Sequence, residues 1–221
     1  MGSNKNEEAN KKIRILLVDD HAVVRAGYST LLRDAPNLEV IAEADTGHAA
    51  LREFIDKNPD LVIMDLSLPD IGGLEVIRRI IARNREAKIL VFSMHEDTVF
   101  VEQALQAGAR GYITKSSAPN VLVDAVQRIA GGDIYLDAEI AQRLAFQKAR
   151  GRNTPFEGLS TREFEIFCLL AEGLNISEIS KRLSLSYKTV ANYSTQIKNK
   201  LNVSTAAELA RLAIRHGLVK A

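Results

Sequence analysis

The chain has 221 residues, of which 46% are hydrophobic and 26% are charged, and its formal net charge is +1. This composition is typical of a globular protein with one or two domains, and it excludes whole-chain disorder, a collagen-like repeat and a disulfide-rich scaffold. A lone cysteine, Cys168, excludes an internal disulfide and a cysteine-based zinc site. Residues 1–12 are polar, and no apolar run approaches the roughly 20 residues of a membrane span. We therefore expect a disordered tail at 1–12 and a cytoplasmic protein.

Short apolar runs alternate with amphipathic stretches through residues 13–130. The apolar runs cover 13–18, 38–42, 61–64, 89–92 and 111–113, and the amphipathic stretches cover 22–33, 48–57, 74–83, 99–107 and 121–129. Short, β-branched runs that are mostly uninterrupted by charge are typical of strands that are buried on both faces of a parallel sheet. The alternation predicts an α/β domain with a doubly wound, five-stranded parallel sheet.

The remainder of the chain has a helical pattern. Residues 131–158 are interpreted as a linker that contains a helix at 138–149, because Gly131 and Gly132 interrupt the preceding helix and 150–155 are polar and basic. Ser160 and Glu163 have the spacing of a capping box at a helix start. Further helices are predicted at 177–183, 187–201 and 204–217, and the first two of these form a helix-turn-helix. The sequence therefore predicts an all-α, four-helix domain at 159–219.

Polar residues follow four of the predicted strands. They are Asp19 and Asp20 after the first, Asp65 after the third, Ser93 after the fourth and Lys115 shortly after the fifth. Each alone is also consistent with a charged or polar residue that simply ends a strand. Because ligands bind where parallel strands end, the joint placement favours a site with three carboxylates, which repel each other and require a cation. Oxygen ligands suit Mg²⁺, and an aspartate can accept a phosphoryl group.

These residues lie in motifs that resemble the receiver domain of two-component response regulators, which has a flavodoxin-like fold. The matching segments are 17–21 (LVDDH), 64–69 (MDLSLP) with Gly72-Gly73, 92–93 (FS) and 111–115 (GYITK), within residues 13–130. The resemblance implies that Asp65 accepts a phosphoryl group from a sensor histidine kinase. It implies a Mg²⁺ ion held by Asp19, Asp20, Asp65 and the backbone carbonyl of Ser67. It further implies that Lys115 pairs with the phosphate and that Ser93 and Tyr112 form the switch pair.

Two residues occupy positions that tune phosphoryl lifetime in this family, Ser67 and His95. By itself, His95 is expected to be an exposed loop residue, and so is His21 beside the acidic pair. Two serines, Ser116 and Ser117, follow Lys115 where the family commonly has proline.

The C-terminal helices resemble the LuxR-type DNA-binding domain, and with a receiver they are similar to response regulators of the NarL/FixJ type. The resemblance rests on segments 159–163 (LSTRE), 170–174 (LAEGL), 183–186 (LSLS), 189–190 (TV) and 200–201 (KL). Between Lys181 and Asn202 there are five basic residues and no acidic one, which suits phosphate contact. The candidate DNA-contacting residues are Lys181, Lys188, Thr189, Asn192, Tyr193, Thr195, Gln196, Lys198 and Lys200. The family often has Lys-x-His where this chain has Ala191-Asn192-Tyr193, so Asn192 is expected to read adenine instead.

The resemblance implies a phosphorylation-controlled transcriptional regulator that forms a homodimer on promoter DNA and has RNA polymerase as a further partner. The near-zero net charge supports this, because it averages an acidic first part (−5 for residues 1–138) with basic later parts (+3 for 139–156 and +3 for 157–221). An enzyme that hydrolyses an aspartyl-phosphate is the first alternative, but it usually needs an acid two residues after the nucleophile, where Ser67 stands. We therefore expect no enzymatic activity beyond the receiver's own phosphoryl transfer and autodephosphorylation. The second alternative is a docking or dimerisation module that works without phosphorylation.

Overall fold

The computed structural model describes residues 12–149 and 154–219. The predicted tail up to residue 11 and the central part of the linker, 150–153, lie outside the described residues. The first domain alternates strands and helices in the order β1 (Ile13–Val18), α1 (Ala22–Asp34), β2 (Leu38–Ala44), α2 (Gly47–Lys57), β3 (Leu61–Met64), α3 (Gly73–Arg83), β4 (Ile89–Ser93), α4 (Thr98–Ala107), β5 (Gly111–Thr114) and α5 (Pro119–Gly131).

These five strands and a sixth, β6 (Tyr135–Leu136), form one parallel sheet. The strand order is β2-β1-β3-β4-β5-β6. The predicted count of five strands is wrong for the described residues, because β6 pairs with Gly111 and Tyr112 of β5. Two half-buried residues at the sheet edge give no periodic signal, which is why the sequence pattern did not reveal this strand.

The central strands β3, β4 and β5 are buried throughout, as their uncharged sequences predict, whereas β2 at the sheet edge is mostly half-buried. Alternate residues of β1 separate onto the two faces, so that Leu16 and Val18 belong to one apolar cluster and Ile15 and Leu17 to the other. The second cluster packs under α1 and α5, whereas the first continues through α2, α3 and α4 into the C-terminal domain. The two domains therefore share one continuous apolar core.

A linker helix and four further helices follow β6 in the described residues. They are α6 (Ala138–Ala149), α7 (Thr161–Ala171), α8 (Ile176–Arg182), α9 (Tyr187–Leu201) and α10 (Ala206–Arg215). The capping box that the sequence predicts at Ser160 and Glu163 is present at the start of α7. That helix ends at Ala171 with Glu172 as its C-cap, and Gly173 follows with φ +93°, the left-handed conformation that glycine adopts readily. No helix in the described segments is long and apolar enough to cross a membrane.

Candidate functional site

The structure brings the predicted carboxylates together at the carboxyl ends of β1 and β3. Asp19 and Asp65 are each 2% exposed. Together with Asp20 and His21 they place one possible ligand atom each within 4.8 Å of one another. His21 is exposed, as expected, and its Nδ1 lies 2.7 Å from Asp20 Oδ1. Three carboxylates in this space offer the hard oxygen donors that Mg²⁺ prefers, so the donor set fits this ion.

Lys115 neutralises the two buried carboxylates. Its Nζ lies 2.6 Å from Asp19 Oδ2 and 2.7 Å from Asp65 Oδ2, and its side chain is 6% exposed. Burial alone would lower the pKa of the Lys115 ammonium, but the two carboxylates outweigh burial and raise that pKa. Lys115 is therefore a fixed positive charge directly beside the predicted phosphoryl acceptor.

The loop after Asp65 depends on close backbone packing. The amide of Leu66 donates a hydrogen bond to Asp65 Oδ1 at 2.7 Å, and the amide of Gly73 donates to the Leu66 carbonyl at 3.0 Å. A Cβ on Gly73 would lie 2.2 Å from the Asp65 carbonyl oxygen, which only glycine avoids. The Gly72-Gly73 pair of the sequence motif therefore allows α3 to begin against the acceptor loop.

The predicted switch residues Ser93 and Tyr112 are both fully buried, on the neighbouring strands β4 and β5. Ser93 Oγ accepts a hydrogen bond of 3.4 Å from the His95 amide, and the hydroxyl of Tyr112 donates to the His95 carbonyl. Burial raises the pKa of the Tyr112 hydroxyl, so it remains a hydrogen-bond donor. The residue that connects the switch pair is thus His95.

The expectation that His95 is an exposed loop residue is wrong. Its ring is half-buried because it stacks on Phe100 with a centroid distance of 4.0 Å and a plane angle of 20°. Its Nε2 lies 3.3 Å from Ser67 Oγ, which joins the two positions associated with phosphoryl lifetime. Burial lowers the pKa of His95, so the neutral imidazole is favoured.

Contacts between the domains involve residues that the sequence did not single out. Phe100 of α4 meets Phe164 of α7 edge-to-face, with the ring centroids 5.4 Å apart. Glu165 of α7 accepts a hydrogen bond of 2.9 Å from the Gly72 amide, and its other oxygen pairs with Arg162. A cavity of about 520 Å³ lies between the domains, and its lining includes Asp20, Ser67 and His95 as well as α7 residues. No local sequence signal reports contacts between residues that are 64 or 93 positions apart.

Most of the predicted DNA-contacting residues form an open polar surface. Lys181, Lys188, Asn192, Thr195, Gln196 and Lys200 are exposed, and Thr189 and Lys198 are half-exposed. Lys200 Nζ also pairs with Glu163 at 2.7 Å, and this ion pair ties α9 to α7. Tyr193 is half-buried and faces the first domain, where it lines a groove with Arg78 and Arg79 of α3. The docked arrangement therefore leaves most of this surface accessible.

An acidic site on a doubly wound sheet, joined to a helix-turn-helix, defines a response regulator that binds DNA. The chain matches the response regulator receiver domain over residues 15–127 and the luxR family of bacterial regulatory proteins over 157–213. It belongs to the two-component response regulators of the NarL/FixJ type and is a transcriptional regulator.

Relatives resemble the chain over almost its whole length. Response regulator UvrY of Escherichia coli (strain K12) is 39% identical over 211 residues, covering 95% of this chain and 97% of the relative. Transcriptional activator protein ExaE of Pseudomonas putida is 43% identical over 209 residues, covering 93% and 98%. Response regulator GacA of Pseudomonas viridiflava is 39% identical over 211 residues, covering 95% and 99%.

Solved structures share the fold. A LuxR-family response regulator from Aurantimonas sp. SI85-9A1 is 42% identical, with a TM-score of 0.61, and covers 63% of this chain and 99% of that protein. RcsB from Salmonella enterica serovar Typhimurium, bound to promoter rprA with the phosphomimetic BeF3-, is 24% identical with a TM-score of 0.72 and covers 91% and 98%.

Proposed function

We propose that Asp65 accepts a phosphoryl group from a sensor histidine kinase and that this modification controls dimerisation and promoter binding. The observation that carries the proposal is the Lys115 ammonium held between Asp19 and Asp65 in a chain whose second domain is a helix-turn-helix. Phosphoryl transfer needs charge neutralisation and positioning more than covalent help from the protein, and this site supplies both.

The Asp65 carboxylate is held in a fixed orientation by its neighbours. Its Oδ1 is held by the Leu66 amide, and its Oδ2 lies beside Lys115. In the proposed reaction one carboxylate oxygen forms a bond to phosphorus while the bond from phosphorus to the donor histidine nitrogen breaks. Asp19, Asp20, Asp65 and the Ser67 carbonyl would hold Mg²⁺, which when bound would supply further positive charge at the site. Lys115 and the Ser93 hydroxyl stabilise phosphoryl oxygens by charge and by hydrogen bonding.

Phosphorylation acts on DNA binding mainly through the dimer. The side chains of Lys188, Asn192 and Gln196 are exposed while the domains are docked, whereas Tyr193 of the same helix faces the receiver. A dimer presents two such surfaces to half-sites one helical turn apart, and this adds affinity that a monomer lacks. RNA polymerase is a further partner in this proposal, and the protein acts in the cytoplasm.

The receiver has no enzymatic activity in this proposal beyond its own phosphoryl transfer and autodephosphorylation. Residue 67, two positions after the acceptor, is a serine, which is unsuited to steady general acid catalysis. The test is labelling with acetyl phosphate and Mg²⁺, monitored by intact-protein mass spectrometry. Wild type is expected to gain one phosphoryl group and Asp65→Asn none. Equal labelling of Asp65→Asn would show that the acceptor is another residue, and steady turnover of a small phosphoester would support a hydrolase.

A further inference from the structure

The loop between Asp65 and α3 carries the parts of the site that must be placed most accurately. It follows the acceptor directly and contains Ser67, whose carbonyl is assigned to Mg²⁺ in the proposed function. Within the receiver the loop is attached at Asp70, whose carboxylate accepts hydrogen bonds from the amides of Gly47 and His48 at 2.7 and 2.9 Å. Its far end, at Gly72, is attached to the other domain.

The attachment at Gly72 comes from Glu165. The carboxylate is 9% exposed, its Oε1 accepts the Gly72 amide at 2.9 Å, and its Oε2 pairs with Arg162 at 2.5 Å. Gly72 is the N-cap residue of α3 and provides no side-chain cap, so the Glu165 carboxylate supplies the acceptor for the Gly72 amide at the start of that helix. Arg162 fixes the Glu165 rotamer, which makes the acceptor rigid.

The docked arrangement coexists with an assembled phosphorylation site. Lys115 lies on Asp65, the four possible metal donors are close together, and the Tyr112 ring is fully buried. We infer that Glu165, a residue of the DNA-binding domain, is a positioning residue for the receiver's phosphoryl-acceptor loop. This inference rests on the proposed function and deepens it, because it makes phosphorylation of the receiver dependent on the domain that binds DNA.

The contact can be broken from either side. Glu165→Ala removes the acceptor. Gly72→Ala breaks the contact from the receiver, because a Cβ at Gly72 would lie 2.7 Å from Glu165 Oε1 and its three nearest atoms all belong to Glu165. The backbone of Gly72 has φ −63° and ψ 152°, which alanine adopts without strain. Matched controls are Glu172→Ala, an exposed carboxylate at the end of the same helix, and Gly27→Ala, where a Cβ would meet nothing within 4 Å.

The experiment uses the full-length chain and two readouts. Mg²⁺ affinity is measured by isothermal titration without a phosphodonor, and the initial rate of labelling by acetyl phosphate is measured by intact mass. Glu165→Ala is expected to weaken Mg²⁺ binding and to slow labelling by roughly threefold to tenfold, as the loss of one typical hydrogen bond predicts. Gly72→Ala should have the same effect in the wild-type background and no further effect in the Glu165→Ala background. Both controls should match wild type.

Three results would overturn the inference. They are unchanged Mg²⁺ affinity and rate in Glu165→Ala, faster labelling of that variant, and an equal effect of Gly72→Ala in both backgrounds. Circular dichroism checks the fold of each variant, and Gly72→Ala supplies the test if Glu165→Ala does not fold. The same experiment tests the proposed function independently. That function is wrong if wild type is neither labelled nor able to bind Mg²⁺. If wild type is labelled and Glu165→Ala is labelled at the same rate, only the positioning role is contradicted.

Discussion

The hydroxyl of Tyr112 donates a hydrogen bond of 2.8 Å to the backbone carbonyl of His95. This bond attaches β5 to the loop that follows β4, directly above the acceptor site. The His95 ring stacks on Phe100, and Phe100 in turn packs against Phe164 of the DNA-binding domain. A single hydroxyl in the switch pair is therefore connected through two ring contacts to the second domain.

Tyr112→Phe tests the energetic weight of this bond. The variant keeps the buried ring but removes the donor to the His95 carbonyl, so the free energy of unfolding should fall by about 1 kcal/mol. Urea denaturation followed by circular dichroism measures this difference. Tyr187→Phe is the control, because that side chain is 62% exposed and should be neutral. Equal stability of Tyr112→Phe and wild type would show that the bond contributes nothing measurable.

Lys115→Met tests the charge balance of the acidic site. Removing a buried cation leaves Asp19 and Asp65 without their partner, so stability in EDTA should fall by roughly 3 kcal/mol. Mg²⁺ should then raise the melting temperature of Lys115→Met more than that of wild type, because the ammonium no longer competes for the same carboxylate oxygens. Thermal unfolding with EDTA and with Mg²⁺ measures both effects, and Lys57→Met, at an exposed position at the end of α2, is the control. If Mg²⁺ raises the melting temperatures of wild type and Lys115→Met by the same amount, the ammonium and Mg²⁺ do not compete for the same carboxylate oxygens.

Glu163 makes the stability of the DNA-binding domain depend on pH. Burial opposes its ionisation, but Lys200 and the amide and hydroxyl of Ser160 outweigh burial and lower the pKa of Glu163 below 4.5. Because the folded-state pKa is below the unfolded value, Glu163 adds stability above about pH 4.5 that is lost as the pH falls through the folded-state pKa.

The variant Glu163→Gln should remove this part of the pH dependence and cost about 1 kcal/mol near neutral pH. The free energy of unfolding of wild type and variant is compared between pH 3 and 7, because this is roughly the range over which a carboxylate titrates. Glu172→Gln, exposed at the end of the same helix, should match wild-type stability at neutral pH. Parallel stability curves for wild type and Glu163→Gln would contradict the lowered pKa.

Two residues of α9 should affect DNA binding differently. Asn192→Ala should cost roughly 1–3 kcal/mol on the preferred site and relax the preference at one base pair, because an amide reads a base edge. Lys188→Ala should weaken binding to all sequences and reduce the slope of log affinity against log salt by about 0.9, as loss of one phosphate contact predicts. Fluorescence anisotropy over a salt series on matched and mismatched duplexes separates the two effects. An equal loss of affinity of Asn192→Ala for matched and mismatched duplexes would show that Asn192 does not read the base sequence.

Local patterns predict the elements and the acidic site well. Buried runs such as Leu61–Met64 contain only apolar residues, so their strand assignment follows directly from composition. The clustering of Asp19 and Asp65 follows from the rule that parallel strands end at one edge of the sheet. The predicted helix at 187–201 agrees with α9 because Ser186 caps its first turn and Asn202 ends it in the left-handed conformation.

Long-range packing was not predictable in the same way. His95 is half-buried because Phe100 and Ser67 happen to enclose it, and neither residue is identified by its neighbours in sequence. Glu165 resembles an ordinary helix-surface carboxylate in the sequence, yet the receiver covers it. The burial of His95 depends on packing within the receiver and that of Glu165 on how the two domains dock, and no periodicity within one element encodes either arrangement.

Phosphoryl control of DNA binding is tested most directly by one comparison of DNA affinity. Promoter fragments found by genome-wide capture are titrated with wild type and Asp65→Asn, each with Mg²⁺ and with or without beryllofluoride. Wild type should bind about tenfold more tightly with beryllofluoride, with a matching shift to dimer, and Asp65→Asn should show no change. Equal affinity of wild type with and without beryllofluoride would contradict phosphoryl control and favour a receiver that serves only as a docking or dimerisation module.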